Sequence, residues 1–278
     1  MREFAGKVAV ITGAGGGFGR EFARMAAALG MKLVLADIQQ DALDTTVADL
    51  PGVEILTRRT DVSNAMDMQA LTDAAYARFG VVNLLFNNAG VLAGGFAWET
   101  SEAEWDRVLG VNLRSVIHGI RLFVPLMLAQ GDDCHIVNTA SAAGLVNAPL
   151  MGVYSASKHA VVSLSETLYQ DLKLAGANIG VTLLCPAFVP TGIAGDMQSL
   201  AQTASQQRAA AQMQKAVGSG RLSAADIAAK TFECIREGQF YCLTHPKILG
   251  GVELRFADIQ AQRDPSDPYA LKPGVVPA

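Results

Sequence analysis

Charge is scarce in this chain. Asp, Glu, Lys and Arg make up 17% of its 278 residues, and they balance to −4. Without a basic excess there is no field to hold nucleic acid or an anionic membrane surface, so neither is expected as a partner. Cysteine is scarcer still: Cys134, Cys185, Cys234 and Cys242 form no Cys-x-x-Cys pair, and the four histidines are equally scattered. No metal site is expected, and buried free thiols in a reducing compartment are the simpler reading. A long uncharged run is missing too. The most apolar stretch, Leu113 to Ala129, carries Arg114, His118 and Arg121, which argues against a membrane span. Lys7 to Thr12 runs straight into a strand pattern and a Gly-rich turn, with no leader pattern before it. A cytoplasmic protein is expected.

Apolar residues are plentiful, at 50% of the chain. Short β-branched runs at Val8–Ile11, Lys32–Ala36, Val53–Thr57, Asn83–Phe86, His135–Asn138 and Val181–Leu184 read as strands. Helical patterns lie between them at Phe18–Leu29, Gln40–Leu50, Ala65–Phe79, Ser101–Ala129 and Tyr154–Ala175. Near-continuous apolar strands alternating with helices predict an α/β fold: a Rossmann-like, doubly wound parallel sheet with helices on both faces, in three α/β/α layers. Ligands then bind beyond the carboxyl ends of the strands. Residues 1–263 read as a single domain. Within it, 192–222, rich in Ala, Gln, Met and Ser, reads as a mobile helical flap. A helix resumes near Ser223 and ends near Gly238, the short apolar run Phe240–Leu243 follows, and 264–278 reads as an exposed, Pro-bearing tail.

The first strand leads into Thr12-Gly13-Ala14-Gly15-Gly16-Gly17-Phe18-Gly19 and then a helix. Glycines let a backbone turn sharply and approach a pyrophosphate, whose charge suits the helix N-terminus. Two spacings fit, Gly13/Gly17/Gly19 and Gly13/Gly16/Gly19; a tight connection without ligand is the plainer alternative. Asp37 ends the second strand, where a carboxylate accepts from the adenosine ribose hydroxyls and repels a 2′-phosphate. No Arg or Lys stands in Ala14–Phe18 or Ile38–Leu43 to receive that phosphate. NAD is expected over NADP, although an Asp here can also cap the next helix.

Tyr154 and Lys158 share one helix face, being four residues apart. A free tyrosine titrates near 10; an ammonium about 5 Å away, at an effective dielectric of about 20, favours the tyrosinate by roughly 3 kcal/mol. A bare Tyr-x-x-x-Lys is common by chance. Here Ser141 follows the fifth strand, Asn87-Asn88-Ala89-Gly90 ends the fourth, and all fall at the same sheet edge as the Gly turn and Asp37.

With these motifs in this order, the chain resembles the short-chain dehydrogenase/reductase family, in its classical single-domain branch. The resemblance covers roughly residues 5 to 240 and includes Asp61-Val62, Asn112 and Pro186-Ala187-Phe188-Val189-Pro190-Thr191. It implies an NAD-dependent enzyme that interconverts a secondary alcohol and a ketone. Tyr154 would be the general acid/base, Ser141 would bind the substrate oxygen, and Lys158 would hold the nicotinamide ribose. Asn112 would support a water linking Lys158 to solvent, or merely kink its helix. For the cofactor it implies Gly13, Gly17, Phe18 and Gly19 at the phosphates, and Asp61 and Val62 at the adenine. Asn88 and Gly90 would lie along the adenosine side, and Pro186, Val189 and Thr191 at the nicotinamide. Two features depart from the pattern: Ala187 stands where Gly is usual, and Thr244-His245-Pro246 replaces the Gly-rich close of the last strand. A homodimer through the Ser101–Ala129 and Tyr154–Ala175 helices is expected, with a tetramer second.

Three segments are expected to line the substrate pocket: Val91–Trp98, Ala142–Val153 and Phe188–Met197, with Asp196 their single charge. An uncharged, mainly apolar small-molecule alcohol or ketone, aromatic or alicyclic, follows, packed by Phe96, Trp98, Leu145, Met151, Phe188 and Met197. Two readings stand beside the dehydrogenase: an NAD-binding regulatory protein with a vestigial site, and an NAD-using epimerase.

Overall fold

The computed structural model describes residues 1–268. Seven parallel strands form one sheet in the order β3-β2-β1-β4-β5-β6-β7. They are β1 (Val8–Thr12), β2 (Lys32–Asp37), β3 (Ile55–Arg59), β4 (Leu84–Asn87), β5 (Cys134–Thr139), β6 (Ile179–Leu184) and β7 (Tyr241–Cys242). The order reverses between β1 and β4, and the crevice at that switch point is where ligands of such sheets bind.

Strand residues alternate between two cores, which is why the strands read as continuous apolar runs. Ile11, Leu33, Leu35 and Phe86 meet Phe22 and Phe232 on one face. Those two phenylalanines come from α1 (Gly17–Ala28) and α9 (Ala224–Glu237). Val10, Val34, Leu85 and Ile136 meet Met68, Phe123 and Leu168 on the other. These come from α3 (Ala65–Phe79), α5 (Ser115–Gln130) and α6 (Gly152–Leu174). The expected three-layer architecture is the one observed. Helices α2 (Gln40–Ala48), α4 (Glu102–Leu109), α7 (Ile193–Ser199), α8 (Ala204–Gly218) and α10 (Leu249–Gln260) complete the described elements.

One expectation needs correction. The third strand lies two residues later than Val53–Thr57, because on this edge Arg58 and Arg59 complete the register against Ala36 and Asp37. The expected Ser101–Ala129 helix is one helical run, Glu102–Gln130, in which a π turn at Gly110–Arg114 joins α4 to α5. The 29-residue run Glu102–Gln130 is long and apolar enough to cross a bilayer. Its Val116, Phe123 and Met127 are nevertheless buried inside the fold. The flap residues form two helices, of which α8 starts with a reciprocal Thr203–Gln206 capping box. The first tail residues return to α10, where Ser266 N donates to Asp258 (2.8 Å). Residues 269–278 of the expected tail lie outside the described residues.

Candidate active site

At the switch point the Gly turn closes over itself. Gly13 and Gly17 both adopt positive φ (67° and 50°), the region that favours glycine. Gly16 is extended instead, so the Gly13/Gly17/Gly19 spacing is the one the backbone requires. A Cβ on Gly19 would sit 2.0 Å from the Gly13 carbonyl oxygen, so this glycine lets the helix approach the turn rather than facing the cavity. Helix α1 has no side-chain cap and no acidic residue in its first turn. Its N-terminus opens on the cavity beside Gly13 and Gly15 to Phe18, as an anion site requires.

Asp37 serves the turn as well as the cavity. One carboxylate oxygen accepts from Gly15 N (2.9 Å), the other from Gln39 N (3.0 Å). Asp37 does not cap α2, whose N-cap is Gln39 and which has no side-chain cap. Arg20 donates to the Gly15 carbonyl (2.6 Å) and to Thr46 Oγ1 (3.1 Å), so this nearby guanidinium is committed to the turn. Asn88 ties β4 to β1 by donating to the Thr12 carbonyl (2.9 Å), and lines the cavity beside Gly90. Asp61 and Val62 do not line it. The Asp61 carboxylate instead accepts from Ser63 N and Oγ (2.9 and 2.7 Å), and Val62 is buried in the core.

Tyr154 and Lys158 stand on the cavity wall at the start of α6, both buried. The Lys158 ammonium lies 5.8 Å from the Tyr154 ring centre and donates to the Thr139 carbonyl (2.8 Å). Burial holds its pKa down, to about 8. Ser141 caps a single 3-10 turn, accepting from Ala143 N (3.1 Å), and its hydroxyl faces the Pro186 carbonyl at 3.5 Å.

Asn112 lies in the π turn, buried and away from the cavity wall. Its Oδ1 accepts from Val91 N (2.8 Å); its Nδ2 donates to the Val91 carbonyl and to Ser157 Oγ (both 3.0 Å). Ser157 in turn donates to the Tyr154 carbonyl (2.7 Å). The side-chain amide therefore bridges the chain after β4 to the turn of α6 that carries Tyr154. Ser157 escaped the sequence reading, although it is the residue immediately before Lys158.

The cavity measures about 1110 Å³ and runs from Asp37 to a mouth bounded by Lys247 and Ile248. Pro186, Val189 and Thr191 line it, the turn being held by Ala142 N donating to the Pro186 carbonyl (2.8 Å) and Ala187 N to His245 Nδ1 (3.2 Å). Of the expected packing residues, Met151 and Phe188 are on the wall. Phe96 and Trp98 stack on each other at 4.5 Å and are exposed, Trp98 at 79%. Leu145 packs with Val162 and Leu183, and Met197 is buried behind the wall. Leu92, Ile193 and Met213 take their places. Beyond the three segments expected to line the pocket, Arg221 and Lys247 line it as well. They arrive from the α8–α9 junction and the turn after β7, which are distant in sequence and carry no motif.

Residues 7–202 match the profile of the short chain dehydrogenase family. A CLA biosynthesis dehydrogenase/reductase from Lactiplantibacillus plantarum is 34% identical over 264 residues, spanning 89% of this chain and 91% of that protein. A C alpha-dehydrogenase from Sphingobium sp. is 39% identical over 198 residues, 70% of this chain and 64% of that one. Among solved structures, a short chain dehydrogenase/reductase from Burkholderia phymatum in complex with NAD is 59% identical. It superposes with a TM-score of 0.94 over 96% of this chain and 99% of that one.

Proposed function

The chain belongs to the short-chain dehydrogenase family, and on that premise we propose that it interconverts a secondary alcohol and a ketone with NAD, through Tyr154, on a substrate that is apolar and uncharged around the reacting carbon. The observation that carries this reading is the placement of Tyr154, Lys158 and Ser141 on one cavity wall that continues into the Gly13–Phe18 turn and Asp37. NAD, when bound, supplies the acceptor or donor of the hydride.

The chain's own residues handle the proton and the oxygen. Ser141 Oγ holds the substrate oxygen, and the Tyr154 phenol takes the hydroxyl proton in oxidation and returns it in reduction. The Lys158 ammonium lies over the Tyr154 ring and favours the tyrosinate; a pair about 5 Å apart at an effective dielectric of about 20 gains roughly 3 kcal/mol. Asn112 and Ser157 hold the helical turn beneath Tyr154, and Asn112 takes part in the proton route. Gly13, Gly17 and Phe18 receive the diphosphate, and Arg221 is a cavity cation available to it. A Cβ on Gly220 would touch the Phe188 carbonyl, which holds this junction against the turn after β6. Asp37 receives the ribose and disfavours a 2′-phosphate. Leu92, Met151, Ile193 and Met213 surround the reacting carbon with apolar groups. A homodimer through α5 and α6 completes the reading, since Leu126, Leu128 and Leu174 there are exposed.

A panel of uncharged secondary alcohols with NAD, followed by NADH absorbance, tests the reaction. Tyr154→Phe should lower turnover by about three orders of magnitude or more while NADH affinity stays within about twofold. Equal loss of binding would make the tyrosine structural and sink the assignment.

A further inference from the structure

Among the described residues the cavity wall carries one carboxylate, Asp37, and three cations, Lys158, Arg221 and Lys247. Lys158 stands beside the tyrosine and the reading above assigns Arg221 to the diphosphate, which leaves Lys247 without a role. It lies in the 3-10 turn Pro246–Ile248 that follows β7. Strand β7 is five places along the sheet from β2, which bears Asp37. At about 4.8 Å per strand that is roughly 24 Å, so Lys247 is far from the adenosine end.

Several contacts fix this turn at the Ser141 side of the cavity. His245 Nδ1 accepts from Ala187 N (3.2 Å), and Arg255 donates to the Leu145 carbonyl (3.3 Å). A Cβ on Gly251 would lie 3.3 Å from Val146. Lys247 itself is exposed and forms no ion pair or hydrogen bond among the described residues. Lys247 shares this wall with the apolar side chains of Met151, Met213 and Ile248.

From this arrangement we infer that Lys247 receives an anionic far end of the substrate, a carboxylate separated from the reacting ketone by an apolar body. The inference rests on the alcohol–ketone reading above and narrows its substrate class to amphipathic oxo and hydroxy acids. An ammonium at the cavity mouth attracts a carboxylate without burying either charge, which suits partial exposure. The sequence segment that supplies it, Thr244-His245-Pro246-Lys247, is the same one that departs from the family pattern.

The test is a series of alkyl and aryl oxo acids with increasing spacing between ketone and carboxylate, each paired with its methyl ester. In the wild type, kcat/KM with NADH should favour the acid over the ester by about fivefold at the best spacing, falling as salt is added. In Lys247→Gln that ratio should collapse towards one, and in Lys247→Glu it should invert. Calorimetry on the NADH complex of Tyr154→Phe should show the same acid preference in binding, independent of turnover. Equal acid and ester in both measurements, a ratio unmoved in Lys247→Gln, or no binding by any member of the series would overturn the inference. Failure of the underlying reading shows separately, as absence of turnover on the uncharged ketones.

Discussion

Lys158 is a cation held at 3% exposure. Its ammonium is buried against the Thr139 carbonyl, and its pKa lies near 8 instead of in the usual lysine range above 10. At pH 7 the folded chain therefore bears a charge that the unfolded chain would solvate, at a cost of about 3 kcal/mol. Between about pH 8 and 10.5 the folded lysine is neutral while the unfolded one still binds its proton. Stability from this group therefore rises with pH across that window. Lys158→Met should remove the cost but leave the Thr139 carbonyl without its donor, worth about 1–3 kcal/mol. The variant is expected to be inactive yet more stable by about 1 kcal/mol at pH 7. Unfolding in denaturant at pH 7 and at pH 10 checks this: the variant's advantage should shrink at the higher pH, and a constant difference would contradict the assignment.

At the scale of elements, local signals were the readable ones. Helix α3 begins and ends where the sequence puts it, because Asn64 caps it by accepting from Met66 N and Asp67 N and Gly80 closes it at φ 73°. Helix α9 is framed likewise by the Ser223–Asp226 capping box and Gly238. The π turn at Asn112 had no such signal, since its partner Val91 is 21 residues away and Ser157 is 45. That turn lets one amide hold two segments of backbone around the catalytic helix. Ser157→Ala should lower stability by about 1–3 kcal/mol and reduce kcat while NADH affinity holds; Ser157→Thr should restore part of the rate. A loss of stability with kcat unchanged would show that the bridge serves packing alone.

For the whole molecule, the exposed large apolar side chains include Leu126, Leu128 and Leu174 on α5 and α6, Leu249, Phe256 and Ile259 on α10, and the Phe96–Trp98 pair. A dimer closed through α5 and α6 should be converted to monomer by the double change Leu126→Glu and Leu128→Glu, as read by light scattering after gel filtration. Persistence of the dimer there, with its loss in Phe256→Glu, would assign the interface to α10. The same scale separates the sequence from the fold. Strand–helix alternation, the Gly13–Gly19 turn, Asp37 and the Tyr154–Lys158 spacing were legible in the sequence. Each depends on backbone conformation or on residues within one or two turns, and the parallel sheet brings all such strand ends to one edge. The tertiary structure alone decided which glycines turn the backbone, that Asp37 braces Gly15, and that Phe96, Trp98 and Leu145 stand off the cavity. It also brought Arg221 and Lys247 onto the wall. The physical reason is distance along the chain: a side chain delivered by a loop more than fifty residues from the reacting pair has no periodicity to announce it, and only packing determines where it points.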